Sequence, residues 1–130
     1  MKTVETDAGM HGKVMVIDDS AVMRVLVSIA LENVGYEVIT ATDSREALTK
    51  IDSQHVSMVI TDLYMNGVDG ISFIQEVRSR DRYKYIPIVV LTTEFREAKK
   101  QEGRAAGATA WIVKPFGWEE LMGVVNRFLT

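Results

Sequence analysis

The sequence predicts one doubly wound α/β domain, a five-stranded parallel sheet of order 2-1-3-4-5 with five helices on its two faces. Two observations carry that expectation. Short runs that are apolar on both faces alternate five times with segments of helical period, as parallel strands buried between helix layers require. The length, 130 residues, suits five such βα units with right-handed crossovers in a single domain.

The N-terminal residues 1–12 are polar, carry two glycines and show no period, so they read as a loose leader ahead of a domain over 13–130. Val14-Met15-Val16-Ile17 is the first strand. Glu37 to Thr42, β-branched and placed after a Gly35-Tyr36 turn signal, is the second. Met58-Val59-Ile60 is the third. Ile86 to Leu91 is the fourth, with Pro87 near its start, where a missing donor is tolerated. Trp111-Ile112-Val113 is the fifth.

Helical spacing fills the intervals. Val22, Val25, Leu26 and Ile29 repeat at i, i+3, i+4 and i+7, with Ser20 as N-cap and Gly35 as stop. Ala47, Leu48 and Ile51 mark a second helix behind Ser44, and Ile71, Ile74 and Val77 a third. From Phe95 to Gly107 the apolar members after Phe95 are alanines, and Gly103 costs about 1 kcal/mol relative to Ala. That fourth helix is expected to be lightly anchored. Leu121, Val124, Val125 and Phe128 mark the fifth.

Composition narrows the function. The net charge is −3, hydrophobic residues make up 47%, charged residues 25%, and there is no cysteine. These values exclude a disordered chain, a disulfide scaffold and a Cys-ligated zinc module. A mildly acidic chain offers no footprint for nucleic acid or an anionic membrane. No apolar run nears the roughly 20 residues of a membrane span. The first residues lack a signal-peptide core, which leads to an expected cytoplasmic location, and no room is foreseen for a second effector domain.

The residues just past each strand are the informative ones. Asp18 and Asp19 come after the first, Asp62 after the third, Thr92 and Thr93 after the fourth, and Lys114-Pro115 after the fifth. In this topology ligands bind beyond the carboxyl ends of the strands, where strand order reverses. Three carboxylates, a hydroxyl and an ammonium are therefore expected in one crevice. Carboxylates so close need a compensating charge. A hard divalent cation with oxygen ligands supplies it, and Mg²⁺ characteristically uses a few carboxylates plus waters and phosphate oxygens. Lys114 is a flexible point charge suited to a phosphoryl group, and an Asp carboxylate is a competent nucleophile toward phosphorus. Taken singly, Asp18-Asp19 is a solvated acidic pair, Thr92 ordinary strand composition and Lys114-Pro115 a turn. Their shared placement favours function. Asp69 reads as a cap ahead of Gly70 and the third helix.

Val16-Ile17-Asp18-Asp19-Ser20, Thr61-Asp62-Leu63-Tyr64-Met65, Asp69-Gly70, Leu91-Thr92-Thr93-Glu94 and Val113-Lys114-Pro115-Phe116 together resemble the receiver domains of two-component response regulators. Within that family the chain is most similar to single-domain, CheY-like chemotaxis receivers, whose fold is flavodoxin-like. The resemblance runs from about Lys13 to the C-terminus. It implies that Asp62 is the phospho-acceptor, charged by a histidine kinase or a small donor such as acetyl phosphate. It implies Mg²⁺ bound by Asp19 directly, by Asp18 mainly through water, by Asp62 and by the backbone carbonyl of Tyr64. Thr92 would hydrogen-bond the phosphoryl group and move with it, Lys114 would pair with it, and the Lys114-Pro115 bond would be cis.

The same resemblance places Trp111 at an aromatic switch position, although core filling accounts for a tryptophan there equally well. The fourth helix, fifth strand and fifth helix would form the face for a target such as a flagellar switch protein, with a phosphatase as a further partner. A monomer is the default. The expected role is signalling with self-phosphorylation and slow autodephosphorylation, not metabolite turnover. Three departures stand out: Asn66 follows Met65 where the family often has Pro, bulky Tyr64 lies two residues past the acceptor, and Thr93 follows Thr92 where a smaller residue is common. The competing readings are a phosphorelay intermediate passing its group to a histidine phosphotransfer protein and, from another class, a Mg²⁺-dependent phosphohydrolase with an Asp nucleophile. The latter is disfavoured because Tyr64 stands where such enzymes carry a second Asp. A flavin module fits the topology alone, but without a metal the acidic crevice would repel a phosphate.

Overall fold

The computed structural model describes residues 12–66 and 68–129. The leader expected over 1–12 therefore lies outside the described residues apart from Gly12. Strands β1 (Lys13–Ile17), β2 (Glu37–Ala41), β3 (Met58–Thr61), β4 (Ile88–Thr92) and β5 (Ala110–Val113) form one parallel sheet in the order β2-β1-β3-β4-β5. Helices α1 (Ala21–Glu32), α2 (Ser44–Ser53), α3 (Ile71–Arg78), α4 (Glu97–Ala106) and α5 (Trp118–Leu129) come after the strands in turn.

The strands read as continuous apolar runs because both faces are covered. Every residue of β3 and β4 is buried. Side chains alternate between two layers: Val14 and Val16 of β1 join Val27 and Leu31 of α1 and Leu121 and Val125 of α5. Met15 and Ile17 join Ile51 of α2 and Phe73, Ile74 and Val77 of α3 on the opposite face. Each fully buried aliphatic or aromatic side chain of this size contributes about 1.5–3 kcal/mol.

Helix α1 turns a different stripe to the sheet from the one that marks it in the sequence. Its N-cap is Ser20, whose Oγ accepts the Met23 N–H at 3.2 Å. The stripe Val22, Val25, Leu26 and Ile29 that marks the helix is exposed, by 67, 56, 44 and 50%. The face turned to the sheet is Val27 and Leu31, flanked by Met23. The helix is apolar nearly all round, so two stripes share the same period and periodicity alone cannot select the buried one.

Helix α4 begins two residues later than expected and ends at Gly107, whose φ of 121° terminates it. Its buried residues are Gly103 and Ala106 alone among those described, so the light anchoring read from the sequence is present. Arg78 at the end of α3 ties this region together. Its guanidinium donates to the carbonyls of Gly107 (2.7 and 3.0 Å), Tyr83 (2.9 Å) and Ile86 (2.7 Å).

Beyond β3 the chain forms a small hairpin that strand alternation does not foresee. Tyr64–Met65 and Val68–Asp69 pair as a two-residue antiparallel ladder, Tyr64 opposite Asp69. Asn66 takes the left-handed conformation, φ 53°, that a tight hairpin turn demands. The Asn66-Gly67 dipeptide is its signal in the sequence.

Candidate functional site

Parallel register brings the candidate residues together. Ile17 lies opposite Thr61, and Thr92 opposite Val113. The hydrogen bonding then continues one residue beyond the strands: Asp62 N–H donates to Ile17 O at 3.0 Å, and Lys114 N–H to Thr92 O at 2.8 Å. Asp18 and Asp62 thus leave the neighbouring strands β1 and β3 at one level, while Lys114 leaves β5 two residues further along the register and reaches both carboxylates with its long side chain. The Lys114-Pro115 peptide is cis.

Asp18 is 3% exposed. Its Oδ1 accepts the Ser20 N–H at 2.9 Å and its Oδ2 the Lys114 ammonium at 2.8 Å. Arg24 reaches its backbone carbonyl at 2.7 Å. Asp62 presents Oδ1 to the N–H groups of Leu63 (2.6 Å) and Tyr64 (3.3 Å), and Oδ2 to Lys114 at 3.1 Å. Asp19 is exposed, and its Oδ2 accepts the Asn66 N–H at 3.2 Å. One carboxylate oxygen from each of Asp18, Asp19 and Asp62 lies within 4.8 Å of the others.

The Lys114 ammonium bonds two of the three carboxylates, and these four side chains together carry a formal charge of −2 in a half-buried crevice. Burial acts to lower the Lys114 pKa, but its hydrogen bond to Asp18 and the charges of Asp62 and Asp18 outweigh this and hold it above the usual lysine value. Hard oxygen donors at this spacing and charge fit a small divalent cation, and fit magnesium among them.

Thr92 is fully buried at the end of β4, and its Oγ1 accepts the Glu94 N–H at 3.4 Å. The Tyr64 hydroxyl donates to Glu94 Oε1 at 2.9 Å. Trp111 does not reach the carboxylates. It packs beside the core while its indole N–H donates to the Glu94 carbonyl at 2.9 Å. Core filling and attachment to the site loop are both present in this one residue.

Glu94 lies within one of the sequence motifs, yet nothing in the motif signals its importance. Its carboxylate holds Tyr64 and is gripped by Arg96 through Nε and Nη2, each at 2.9 Å. The Arg96 guanidinium hydrogen bonds push the Glu94 carboxyl well below the usual range. Thr92, Tyr64, Arg96 and Trp111 thus all meet on this one residue.

Comparison with known proteins identifies the family. The family model described as response regulator receiver domain matches residues 14–126. Protein PilG of Pseudomonas aeruginosa is 35% identical over 114 residues, covering 88% of this chain and 84% of PilG. Chemotaxis protein CheY1 of Helicobacter pylori is 39% identical over 106 residues, 80% of this chain and 86% of CheY1. The solved structure of chemotaxis response regulator CheY4 of Vibrio cholerae superposes with a TM-score of 0.84 at 46% identity, covering 90% of this chain and 98% of that one. Other relatives are longer: two-component response regulator PhoP of Pseudomonas aeruginosa is 36% identical over 117 residues, and the chain spans 51% of its length. No helix among the described residues is long and apolar enough to cross a membrane. With its flavodoxin-like sheet and its three carboxylates around one lysine, the chain belongs to the receiver domain family of two-component response regulators.

Proposed function

We propose that the chain is a magnesium-dependent switch phosphorylated on Asp62, which signals by changing what it binds. The observation that carries this reading is Lys114 Nζ held between Asp18 Oδ2 (2.8 Å) and Asp62 Oδ2 (3.1 Å), with Asp19 completing the acidic cluster. A carboxylate oxygen of Asp62 attacks the phosphorus of a phosphohistidine or an acyl phosphate. The new P–O bond forms as the P–N or P–O bond to the donor breaks, and the donor imidazole or carboxylate departs. Lys114 moves from its carboxylates to the incoming phosphoryl oxygens, and Thr92 offers its hydroxyl to them.

The residues that would hold magnesium are Asp18, Asp19 and Asp62, with the Tyr64 carbonyl. When bound, the ion neutralises charge on the transferring group. The chain assists its own phosphorylation and slow dephosphorylation, and does not turn over a metabolite.

The phosphodonor is a histidine kinase. Helix α1 starts directly after Asp18, Asp19 and Ser20, and its exposed stripe of Val22, Val25, Leu26 and Ile29 continues away from the acceptor crevice. A donor protein bringing a phosphohistidine to Asp62 lies against that helix. The response is read on the face formed by α4, β5 and α5, and the chemotaxis names of CheY1 and CheY4 support a target such as a flagellar switch protein. A phosphatase and a cytoplasmic setting belong to the same reading.

Incubation with magnesium chloride and acetyl phosphate followed by intact-mass measurement tests it. One added phosphoryl group is expected, lost in Asp62→Asn and suppressed by EDTA. A wild type that gains no mass from any donor, a cognate kinase included, overturns the proposal.

A further inference from the structure

We infer that Asp69 and Lys99 are positioning residues of the switch: they form, with Tyr64 and Glu94, a two-point clasp that holds α4 and the loop before it against the turn after the acceptor. The inference rests on the phosphorylation reading above and adds a constraint on it.

Tyr64 and Asp69 are direct partners in the short ladder beyond Asp62. From one side of the pair, the Tyr64 hydroxyl donates to Glu94 at 2.9 Å. From the other, Asp69 Oδ2 accepts the Lys99 ammonium at 2.8 Å, across thirty residues of sequence. Asp69 is itself oriented, because its Oδ1 accepts the Ile71 N–H at 2.9 Å. The Lys99 side chain is 18% exposed, and a second carboxylate, Glu102, holds it at 2.9 Å.

An exposed ion pair of this kind usually contributes little to stability. Here the setting differs. Helix α4 buries only Gly103 and Ala106, and Arg96 at its N-cap makes no side-chain capping bond. An element with few apolar anchors is positioned to a larger degree by its polar ties. The two ties reach it and its preceding loop from a single two-residue platform beside the acceptor.

The direction of the effect comes from Thr92. Its hydroxyl accepts the Glu94 N–H at 3.4 Å. Turning that hydroxyl toward a phosphoryl group on Asp62 shifts it relative to Glu94, and Glu94 is held by Tyr64 while α4 is held by Lys99. The clasp therefore opposes the switched arrangement, and its release favours it.

The test uses the full chain carrying Trp118→Phe, so that Trp111 is the fluorescent reporter, titrated with beryllofluoride at saturating magnesium. Lys99→Gln removes the cation. Asp69→Asn removes the charge and keeps the acceptor for Ile71. Each is expected to lower the half-saturating concentration about fivefold, the lower end of ordinary coupling. The double variant is expected to go no lower than the singles, and Lys99→Arg to sit near wild type. The rate of phosphoryl incorporation from acetyl phosphate, read by mass, rises in the same variants. Thermal melts establish that each is folded.

An unchanged or raised half-saturation in Lys99→Gln, or additive effects in the double variant, overturns the clasp while leaving phosphorylation intact. A wild type that answers neither beryllofluoride nor acetyl phosphate overturns both readings together.

Discussion

Trp111 stands on Gly103. A Cβ built on that glycine would lie 2.6 Å from Cζ3 of the indole ring and 3.3 Å from Cε3. A helix interior ordinarily gains about 1 kcal/mol from Ala in place of Gly, but here the added methyl overlaps a rigid ring whose N–H is tied to the Glu94 carbonyl. Gly103→Ala is expected to lower stability by about 1–3 kcal/mol, the usual cost of overpacking, and to displace the indole. Urea denaturation measures the first effect. Red-shifted emission in a Trp118→Phe background measures the second, and an unshifted spectrum with raised stability would contradict the contact.

This contact shows why some of the fold is legible in the sequence and some is not. The sheet order and the convergence of Asp18, Asp19, Asp62 and Lys114 are set by strand alternation, because residues just past parallel strands must share one edge. In the sequence Gly103 is visible only as a cost, since its reason is a ring on another element eight residues on. Helix α1 is marked by a stripe that faces solvent, because a helix apolar on most sides has no single period-defined face. Glu94 sits in a motif that does not mark it, and Lys99 is one of several charged residues on the fourth helix. Their partners Tyr64 and Asp69 lie thirty residues away, and no local pattern encodes that distance.

Lys114 is the one cation bonded to the carboxylates of Asp18 and Asp62 among the described residues. Lys114→Met leaves three carboxylates uncompensated. A unit charge removed at this range is worth more than about 1 kcal/mol, so magnesium affinity is expected to rise about tenfold. The magnesium-induced gain in Tm should grow accordingly, while phosphoryl uptake from acetyl phosphate falls. Calorimetric titration with magnesium chloride checks the affinity. Weaker binding would show that Lys114 does not compete with the metal for these oxygens.

Glu46, in the first turn of α2, gives a pH-dependent contribution. Its carboxylate accepts the Thr42 N–H at 2.8 Å and the Thr42 hydroxyl at 2.9 Å, and pairs with Lys50 at 2.9 Å. The Thr42 N–H, then Lys50, pull its pKa from 4.5 to about 2. A lowered folded-state pKa stabilises above the unfolded value, and that contribution is lost as pH falls from about 4.5 through about 2. The side chain is 38% exposed, so solvent screening keeps the effect small. Thermal melts of wild type and Glu46→Gln should differ by a constant Tm interval from pH 7 down to about 4.5. By about pH 3 the interval should have narrowed. An interval that widens with acid would reverse the assignment.

The exposed stripe of α1 separates docking from chemistry. Val25 and Leu26 are 56 and 44% exposed, so Val25→Glu and Leu26→Glu leave the core untouched, and each should change stability by no more than about 0.5 kcal/mol. Neither side chain bonds the acceptor cluster, so phosphorylation by acetyl phosphate should proceed at the wild-type rate. In the docking proposed above a kinase desolvates this helix to present its phosphohistidine, and a carboxylate placed in that apolar contact carries a burial penalty of several kcal/mol. Transfer from the cognate phosphorylated kinase is therefore expected to slow at least tenfold in either variant. Rapid-quench measurement of the two donors side by side decides the matter: equal slowing with both would place the fault in the acceptor site, and no slowing with either would move the donor to another face.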